Sequence, residues 1–183
     1  KKRILSLAIS AALVLTMLPA GALAAGDKGT PPVYNKATGC YEISPGQLLY
    51  LSGSWKDGTP RDGHYVLTAD IDMTGVKGFK PIASKKDKLI GTFDGQFHAI
   101  RGLRVEYEKK YAGLFGYVGN QDDQAYIKDV ALLDCYVTGQ QNVGALAGVN
   151  YGTITGCVVT GEVKCLDLSN SHTAGGICGK LKE

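Results

Sequence analysis

The sequence predicts an all-β protein: a right-handed parallel β-solenoid with an N-terminal cap. Two interleaved repeats support this fold class. Hexapeptides that begin with Ile recur 27 residues apart, at 100–105, 127–132 and 154–159. A glycine-flanked pentapeptide recurs between them, at 112–116, 144–148 and 175–179. Units this short cannot bury an apolar face alone, so we expect successive copies to stack about 4.8 Å apart.

Both repeats place apolar residues at fixed positions, which predicts the repeat core. The third hexapeptide residue is Gly102, Asp129 or Gly156, and these types tolerate the left-handed backbone of a corner. Small residues in the pentapeptide suit a corner where stacked backbones approach closely. The predicted core residues are Ile100, Leu103, Val105, Leu114, Ile127, Val130, Leu132, Leu146, Ile154, Cys157, Val159 and Ile177.

The residues before the repeats predict lead-in strands and a cap. Alternating apolar and polar residues over 65–73 predict a strand. In residues 40–60, a short strand at 41–43 and a helical turn at 45–51 with Ser44 as N-cap are both compatible with the sequence. A cap belongs here, because the first coil would otherwise expose an open edge.

The first residues are typical of a secretory signal peptide. Lys1, Lys2 and Arg3 precede an apolar stretch at 4–18, and Ala22-Leu23-Ala24 matches a cleavage site. The predicted division is therefore a signal peptide at 1–24, a linker and cap at 25–61, and repeats at 62–183. Since the sequence lacks an initiator Met and the next hexapeptide would fall just beyond residue 183, we expect a longer natural protein whose additional coils stabilise the last repeat.

Charge and cysteine content restrict the partners. The formal charge is +3, and the three basic residues of the signal peptide supply all of this excess. With no basic stripe evident, we expect neither nucleic acid nor, after cleavage, a membrane surface as partner.

The five cysteines fit no zinc spacing, so we interpret most of them as core thiols, while Cys165 and Cys178 are compatible with a disulfide.

The pentapeptides resemble a known motif. Gly113-Leu114-Phe115-Gly116 and its copies at 145–148 and 176–179 resemble the GLUG motif, and the lead-in segments at 65–73 and 79–103 are similar to those of GLUG-motif proteins. The resemblance covers about residues 62–183. It implies an exported, cell-wall-associated protein of a Gram-positive bacterium. The motif also precedes the catalytic part of some IgA-cleaving metallopeptidases.

Motifs of peptidase and hydrolase catalysis are absent from the sequence, so we predict no enzyme within these residues and no cofactor or metal, and catalysis elsewhere in a longer protein stays open. The histidines at 64, 98 and 172 form no H-E-x-x-H pair, and there is no G-x-S-x-G elbow. Carboxylates and arginines of the lead-in coils allow a polysaccharide-lyase interpretation, but we favour solvated strand edges and capped turns. The residues concerned are Asp70, Asp72, Asp94, His98, Arg101 and Arg104.

Tyrosines carry the binding hypothesis. The sequence has ten, and Tyr117, Tyr126 and Tyr151 are candidate contacts to a host or cell-envelope glycan or protein. The alternative is a structural ladder of stacked rings. We therefore expect a non-catalytic secreted or cell-surface module, a spacer with an adhesin-like surface. The alternative is an accessory region of a large exported hydrolase, either a metallopeptidase or a polysaccharide-degrading enzyme.

Overall fold

The computed structural model describes residues 28–53, 55–56, 58–167 and 173–182. These residues form a parallel β-solenoid of about four turns, which confirms the predicted fold class. The predicted signal peptide lies outside the described residues. The strands and the helix are, in chain order, β1 (Val33–Asn35), β2 (Cys40–Ile43), α1 (Pro45–Tyr50), β3 (His64–Leu67), β4 (Ile71–Asp72), β5 (Thr92–Asp94), β6 (Ala99–Arg101), β7 (Arg104–Ala112), β8 (Phe115–Val118), β9 (Tyr126–Lys128), β10 (Ala131–Gly144), β11 (Ala147–Asn150), β12 (Thr153–Thr155), β13 (Val158–Cys165), β14 (Ala174–Gly175) and β15 (Cys178–Leu181).

Each turn of the solenoid contributes strands to three sheets. The first sheet has the order β1-β2-β3-β5-β9-β12, and the second has the order β13-β10-β6-β4, with β7 and β14 also paired to β10. The third has the order β15-β11-β8. Among the described strands, β1 and β2 are the one antiparallel pair, and the other pairings are parallel. A chain that always passes through the sheets in the same sense produces this parallel pattern.

The cap consists of β1, β2 and α1, so both the short strand and the helical turn predicted from the sequence are present. The Ser44 backbone N–H donates to Gln47 Oε1 at 3.1 Å, which is half of a capping box, and Pro45 fits the first helical position. Leu48 and Leu51 are fully buried in the same core as the first coil. The antiparallel β1 lies at the outer edge of the first sheet and ends the parallel stack there.

The core consists of columns of apolar side chains, one from each coil. In the first sheet Phe93 pairs with Ile127, and Ile127 pairs with Ile154. In the second sheet Ile100 pairs with Leu132. Most of the predicted core residues are at most 1% exposed, namely Ile100, Leu103, Val105, Leu114, Ile127, Val130, Leu132 and Leu146.

The last described coil is less covered than the coils before it. Ile154, Cys157 and Val159 are half-buried and pack against the core from one side. Ile177, which the sequence also placed in the core, is 44% exposed. Each of the three sheet orders has one of the strands β12, β13 and β15 at its C-terminal edge. The side chains of this coil therefore have a neighbouring coil on one side.

The first hexapeptide has a different register from the one that its 27-residue spacing suggested. Ile100 pairs with Leu132 rather than with Ile127, and the residue beneath Ile127 is Phe93. The repeat spacing predicted the wrong partner for Ile100 because two corners of each turn have the same sequence pattern. Gly102, at φ 64°, bends one corner, whereas Asp129, at φ 53°, bends the other. An apolar residue, an outward residue and a left-handed residue therefore recur twice per turn.

The strand predicted at 65–73 is also divided by a corner. Tyr65 and Leu67 are buried in β3, and Ile71 is buried in β4. Ala69, which the alternating pattern placed inside, is exposed because it lies in the bend between the two strands. Period-two alternation continues across the bend, so it does not mark where one strand ends.

Close backbone contacts explain the glycines of the pentapeptides. A Cβ atom at Gly116 would lie 2.6 Å from the carbonyl oxygen of Ala83 in the coil below. At Gly148 it would lie 2.6 Å from the carbonyl carbon of Tyr111 and 2.9 Å from the oxygen of Gly116. Such distances leave no room for a side chain, which confirms that this corner requires small residues because the stacked backbones touch.

Truncating Ile127 to Ala should reduce the free energy of unfolding by roughly 2–5 kcal/mol, since the side chain is fully buried between two coils. The same change at the half-buried Ile154 should cost less. Urea unfolding measures both, with exposed Thr155→Ala as a control expected to stay within about 0.5 kcal/mol of the parent. Equal losses at Ile127 and Ile154 would contradict the arrangement of the coils.

Replacing Gly148 by Ala should destabilise the protein by about 1–3 kcal/mol, because the added methyl group would overlap rigid backbone. Gly176 is the matched control, since a Cβ atom there would meet nothing within 4 Å. Gly176→Ala should leave the thermal midpoint unchanged or slightly raised. If both variants lose the same stability, the close approach of the coils is not what selects glycine at this corner.

Candidate functional site

Two of the candidate tyrosines line one cleft on the side of the solenoid. Tyr117 and Tyr151 come from adjacent coils and reach this surface at the end of β8 and just after β11. The cleft has a volume of about 280 Å³. It combines aromatic, amide and charged groups, its lining being Lys85, Lys88, Tyr117, Asn120, Gln121, Asp122 and Tyr151.

The two tyrosine rings stack on each other. Val149 pairs with Tyr117, which places Tyr151 close above it, and the ring centroids are 5.8 Å apart at an interplanar angle of 27°. Tyr111 contacts the Tyr117 ring edge-on, with centroids 5.5 Å apart. Tyr117 is 7% exposed. The stacked ladder, one of the two alternatives from the sequence, is therefore present, and Tyr117 and Tyr151 of this ladder also line the cleft.

Burial raises the pKa of Tyr117, and its hydrogen bond with Tyr151 raises the pKa further. Tyr117 therefore stays neutral at physiological pH and presents a hydroxyl group rather than a phenolate. Neutral rings with hydroxyl groups offer an apolar face and a hydrogen-bonding edge to a ligand.

A short loop forms one wall of the cleft. Asn120 Oδ1 accepts hydrogen bonds from the backbone N–H groups of Asp122 and Asp123 at 2.7 and 2.8 Å, and Asn120 Nδ2 donates to Asp123 Oδ2 at 2.8 Å. This side-chain turn fixes the loop locally. Opposite, the Leu89 backbone N–H donates to the Tyr117 carbonyl at 3.2 Å, which holds the segment that carries Lys88 against β8.

Tyr126 is separate from this cleft. It lies in β9 between Thr92 and Thr153 of the neighbouring coils, is 42% exposed and contacts Gln124 through its hydroxyl at 3.2 Å. Sequence reasoning missed Lys85 and Lys88 as lining residues. The signal available was their position in a lysine-rich segment, but the sequence did not show that this segment packs against β8.

A column of polar residues crosses the first sheet. Cys40 Sγ lies 3.6 Å from His64 Nδ1, and His64 Nε2 lies 4.0 Å from Asp94 Oδ2. Asp94 is 2% exposed, and Lys128 Nζ of the next coil contacts its Oδ2 at 2.7 Å. The Cys40 thiol donates to the Thr38 carbonyl at 3.3 Å. These distances indicate an ion pair that connects coils rather than a nucleophile activated by a base.

The ion pair alters what is expected at Lys128. From the sequence, truncation of this outward lysine should be near neutral. In the structure, Lys128→Ala removes the cation that neutralises the buried Asp94, and we expect a loss of about 1–2 kcal/mol, limited by solvent screening on the lysine side.

The remaining residues of the lyase interpretation are used in local structure. Asp70 Oδ1 accepts from the Ala99 N–H at 3.0 Å and contacts His98 Nδ1 at 3.2 Å. Asp72 Oδ1 accepts from the Thr74 N–H at 2.8 Å. Capping of these turns is the role that we favoured from the sequence.

Of the two arginines, Arg101 is exposed, and Arg104 has partners on the coil surface. Arg104 pairs with Glu106 at 2.8 Å, and its guanidinium lies 4.3 Å from the centre of the Tyr136 ring. Cation–π contacts of this kind stabilise an exposed sheet surface.

The described residues contain no group of three or more His, Cys, Asp or Glu side chains placed to hold a metal ion. The described cysteines are free thiols, and Cys165 and Cys178 donate to different carbonyls, those of Gln140 and Lys180. The Cys165–Cys178 disulfide that the sequence left open is therefore not formed. Within the described ranges, no helix has the length and apolar character needed to cross a membrane.

Comparison with known proteins gives two relatives. Over 150 residues, 76% of its length, the chain is 31% identical to "Halomucin" from Haloquadratum walsbyi. Over 100 residues, half of its length, it is 32% identical to "Putative Gly-rich membrane protein" from Evansella cellulosilytica. The matches span 2% and 11% of the length of these relatives. No protein-family model matches the chain, and no solved structure matches it significantly.

The ion pair predicts an acid-sensitive stability. Burial alone would raise the pKa of Asp94, but the hydrogen bonds from Lys128 and Gln96 outweigh burial and hold the pKa below its usual value. Because the folded-state pKa is depressed, the stabilisation is complete above about pH 4 and is lost as the pH falls through the folded-state value. Asp94→Asn should therefore cost about 1–2 kcal/mol at pH 7, and this difference should narrow below pH ~4.

Urea unfolding between pH 7 and pH 2.5 measures the effect, with exposed Asp122→Asn as the matched control. The control should differ little from the parent at any pH. A difference between Asp94→Asn and the parent that stays constant across this range would show that the Asp94 charge does not stabilise the fold.

Proposed function

We propose that this chain is part of a non-catalytic, secreted or cell-surface repeat protein, in which the solenoid acts as a spacer and presents a binding cleft. The single observation that carries the binding role is the cleft at Tyr117 and Tyr151. Stacked tyrosine rings, the amides of Asn120 and Gln121, and two lysines form a concave surface of mixed polarity. Glycans bind to such surfaces through ring faces and hydroxyl hydrogen bonds, so a host or cell-envelope glycan is the favoured ligand.

The spacer role follows from the architecture. Each coil contacts its neighbours alone, so length is gained by adding coils at about 4.8 Å each while the cross-section stays constant. The names of the relatives, Halomucin and a putative Gly-rich membrane protein, support a protein that acts at the cell surface. The signal-peptide pattern and the GLUG resemblance support export and attachment to a Gram-positive cell wall.

A non-catalytic role is supported by how the candidate catalytic groups are used. Asp70, Asp72 and Asp94 accept hydrogen bonds that hold turns or join coils. The alternative, an accessory region of an exported hydrolase, gains no specific support from the described residues.

Tyr151→Ala should weaken glycan binding about tenfold, because it removes one ring of the stack from the cleft wall. Tyr117 is too buried to truncate safely, so Tyr117→Phe, which removes the hydroxyl but keeps the packing, is the companion variant. Tyr126→Ala is the control, being exposed and outside the cleft. The measurement is binding to immobilised mucin O-glycans and to a panel of neutral and acidic oligosaccharides.

The proposal predicts that Tyr151→Ala binds glycans more weakly than the parent and that Tyr126→Ala binds them equally well. Both variants should have the same thermal midpoint as the parent. If Tyr151→Ala binds like the parent, or if Tyr126→Ala loses as much, the tyrosine cleft is structural and the spacer role remains alone.

A further inference from the structure

The segment between β4 and β5 concentrates positive charge. Residues 76–90 contain five lysines and one aspartate. The segment is fixed to the solenoid at two points, where Ile82 bridges to Phe115 and Leu89 bridges to Val118 in parallel fashion. The lysines between and beside these anchors are therefore held in place on the surface rather than carried by a free loop.

Four lysines from three parts of the chain meet in one cleft at the N-terminal end of this segment. Lys28 precedes the cap, Lys56 follows α1, and Lys77 and Lys80 belong to the segment. The cleft has a volume of about 300 Å³, and no carboxylate stands among the described residues that line it, namely Lys28, Leu49, Ser52, Lys56, Lys77, Gly78 and Lys80.

The other end of the segment reaches the tyrosine cleft, where Lys85 and Lys88 are lining residues. One anchored segment thus connects two clefts that both display ammonium groups. We call the surface formed by Lys28, Lys56, Lys77, Lys80, Lys85 and Lys88 the lysine face.

Convergence of like charges is unfavourable unless an anion neutralises them. In the described part of the chain, Lys28, Lys77 and Lys80 have no acidic partner within 4.0 Å, although Lys77 lies near enough to Glu106 for their charges to interact. Lys56 Nζ is held by the Tyr50 carbonyl and the Tyr50 ring instead of an acid. A bound anionic chain would relieve this repulsion along the whole face, with an attraction that depends on salt.

We propose that the lysine face binds an acidic polysaccharide, a sugar polymer that carries carboxylates or sulfates at regular intervals. Spaced ammonium groups suit spaced single charges, whereas recognition of phosphate in nucleic acids favours the bidentate fork of arginine. Because the Tyr117 and Tyr151 rings stack on each other, they do not form the row of separate platforms on which successive bases would stack. The Gln121 amide and the remaining N–H of Asn120 Nδ2, whose other N–H donates to Asp123, provide partners for sugar hydroxyl groups.

This inference deepens the proposed function. The part of the binding that occurs at the tyrosine cleft rests on the proposed function, whereas binding at the four-lysine cleft does not depend on that proposal. It also goes beyond the expectation from composition. The net charge after removal of the signal peptide is near zero, yet the structure segregates positive charge onto one surface. A balanced total is therefore compatible with a polyanionic partner.

The test uses the protein without its signal peptide and measures binding to polygalacturonate, chondroitin sulfate, neutral dextran and single-stranded DNA at about 0.15 M salt. The face variants are Lys77→Glu with Lys80→Glu, and Lys85→Glu with Lys88→Glu. The control is Lys109→Glu with Lys110→Glu, which makes the same change in net charge at exposed positions of β7 that line neither cleft. Thermal midpoints of all variants establish that the fold is retained.

We expect the parent to bind at least one acidic polysaccharide, with dextran and DNA bound at least about tenfold more weakly. Each face variant should lose about tenfold in affinity, and the control should stay within about twofold. Tighter binding of polygalacturonate than of chondroitin sulfate would identify carboxylates as the groups that the lysine face recognises. The reverse preference would identify sulfates. The proposal is overturned if neither acidic polysaccharide binds, if the control loses as much as the face variants, or if DNA binds more tightly.

The same experiment separates the two proposals. Loss of binding in the lysine variants with Tyr151→Ala unaffected would support the lysine face and contradict the tyrosine cleft. Loss in Tyr151→Ala with the lysine variants unaffected would support the tyrosine cleft and contradict the lysine face.

Discussion

The structure depends on one constraint, the fixed spacing between coils that the parallel hydrogen-bond ladders impose. Once β9, β10 and β11 are each paired on both sides, every residue must be compatible with the residues directly above and below it. Inward positions therefore become apolar columns. Outward positions become surface columns, in which Asp94 meets Lys128. In the third sheet Tyr117 stacks on Tyr151, two residues beyond its register partner Val149. The chain folds as a series of such columns rather than around one central cluster.

Glycine and left-handed residues solve two different problems within this constraint. At Gly148 the backbone of the coil below leaves no space for a Cβ atom, although the conformation itself is an ordinary one. At Gly102 and Gly156 the backbone has a positive φ, and Asp129 and Asp134 adopt the same conformation at equivalent bends. The corner at Gly148 is therefore not interchangeable with the other two, whereas the corners at Gly102 and Gly156 look alike in sequence.

That similarity marks the limit of what the sequence could predict. The fold class, the inward residues and the small-residue corner were predictable, because period, apolar position and residue size are local properties. The partner of Ile100 was not, because the two corners share one pattern and the coils differ in length. The Asp94–Lys128 pair and the lysine face were missed for a related reason. Both bring together residues from different coils. Composition gives the total charge of the chain but not where the charged residues lie in the fold.

The antiparallel β1 and the short helix α1 close the N-terminal end of the solenoid. Because synthesis proceeds from the N-terminus, the closed end is also the first part of the domain to leave the ribosome. Every later coil then meets a finished edge on which it can pair at once, and loop closure is limited to the length of one turn. The position of the cap thus gives folding a direction, and an unpaired edge accompanies the growing end alone.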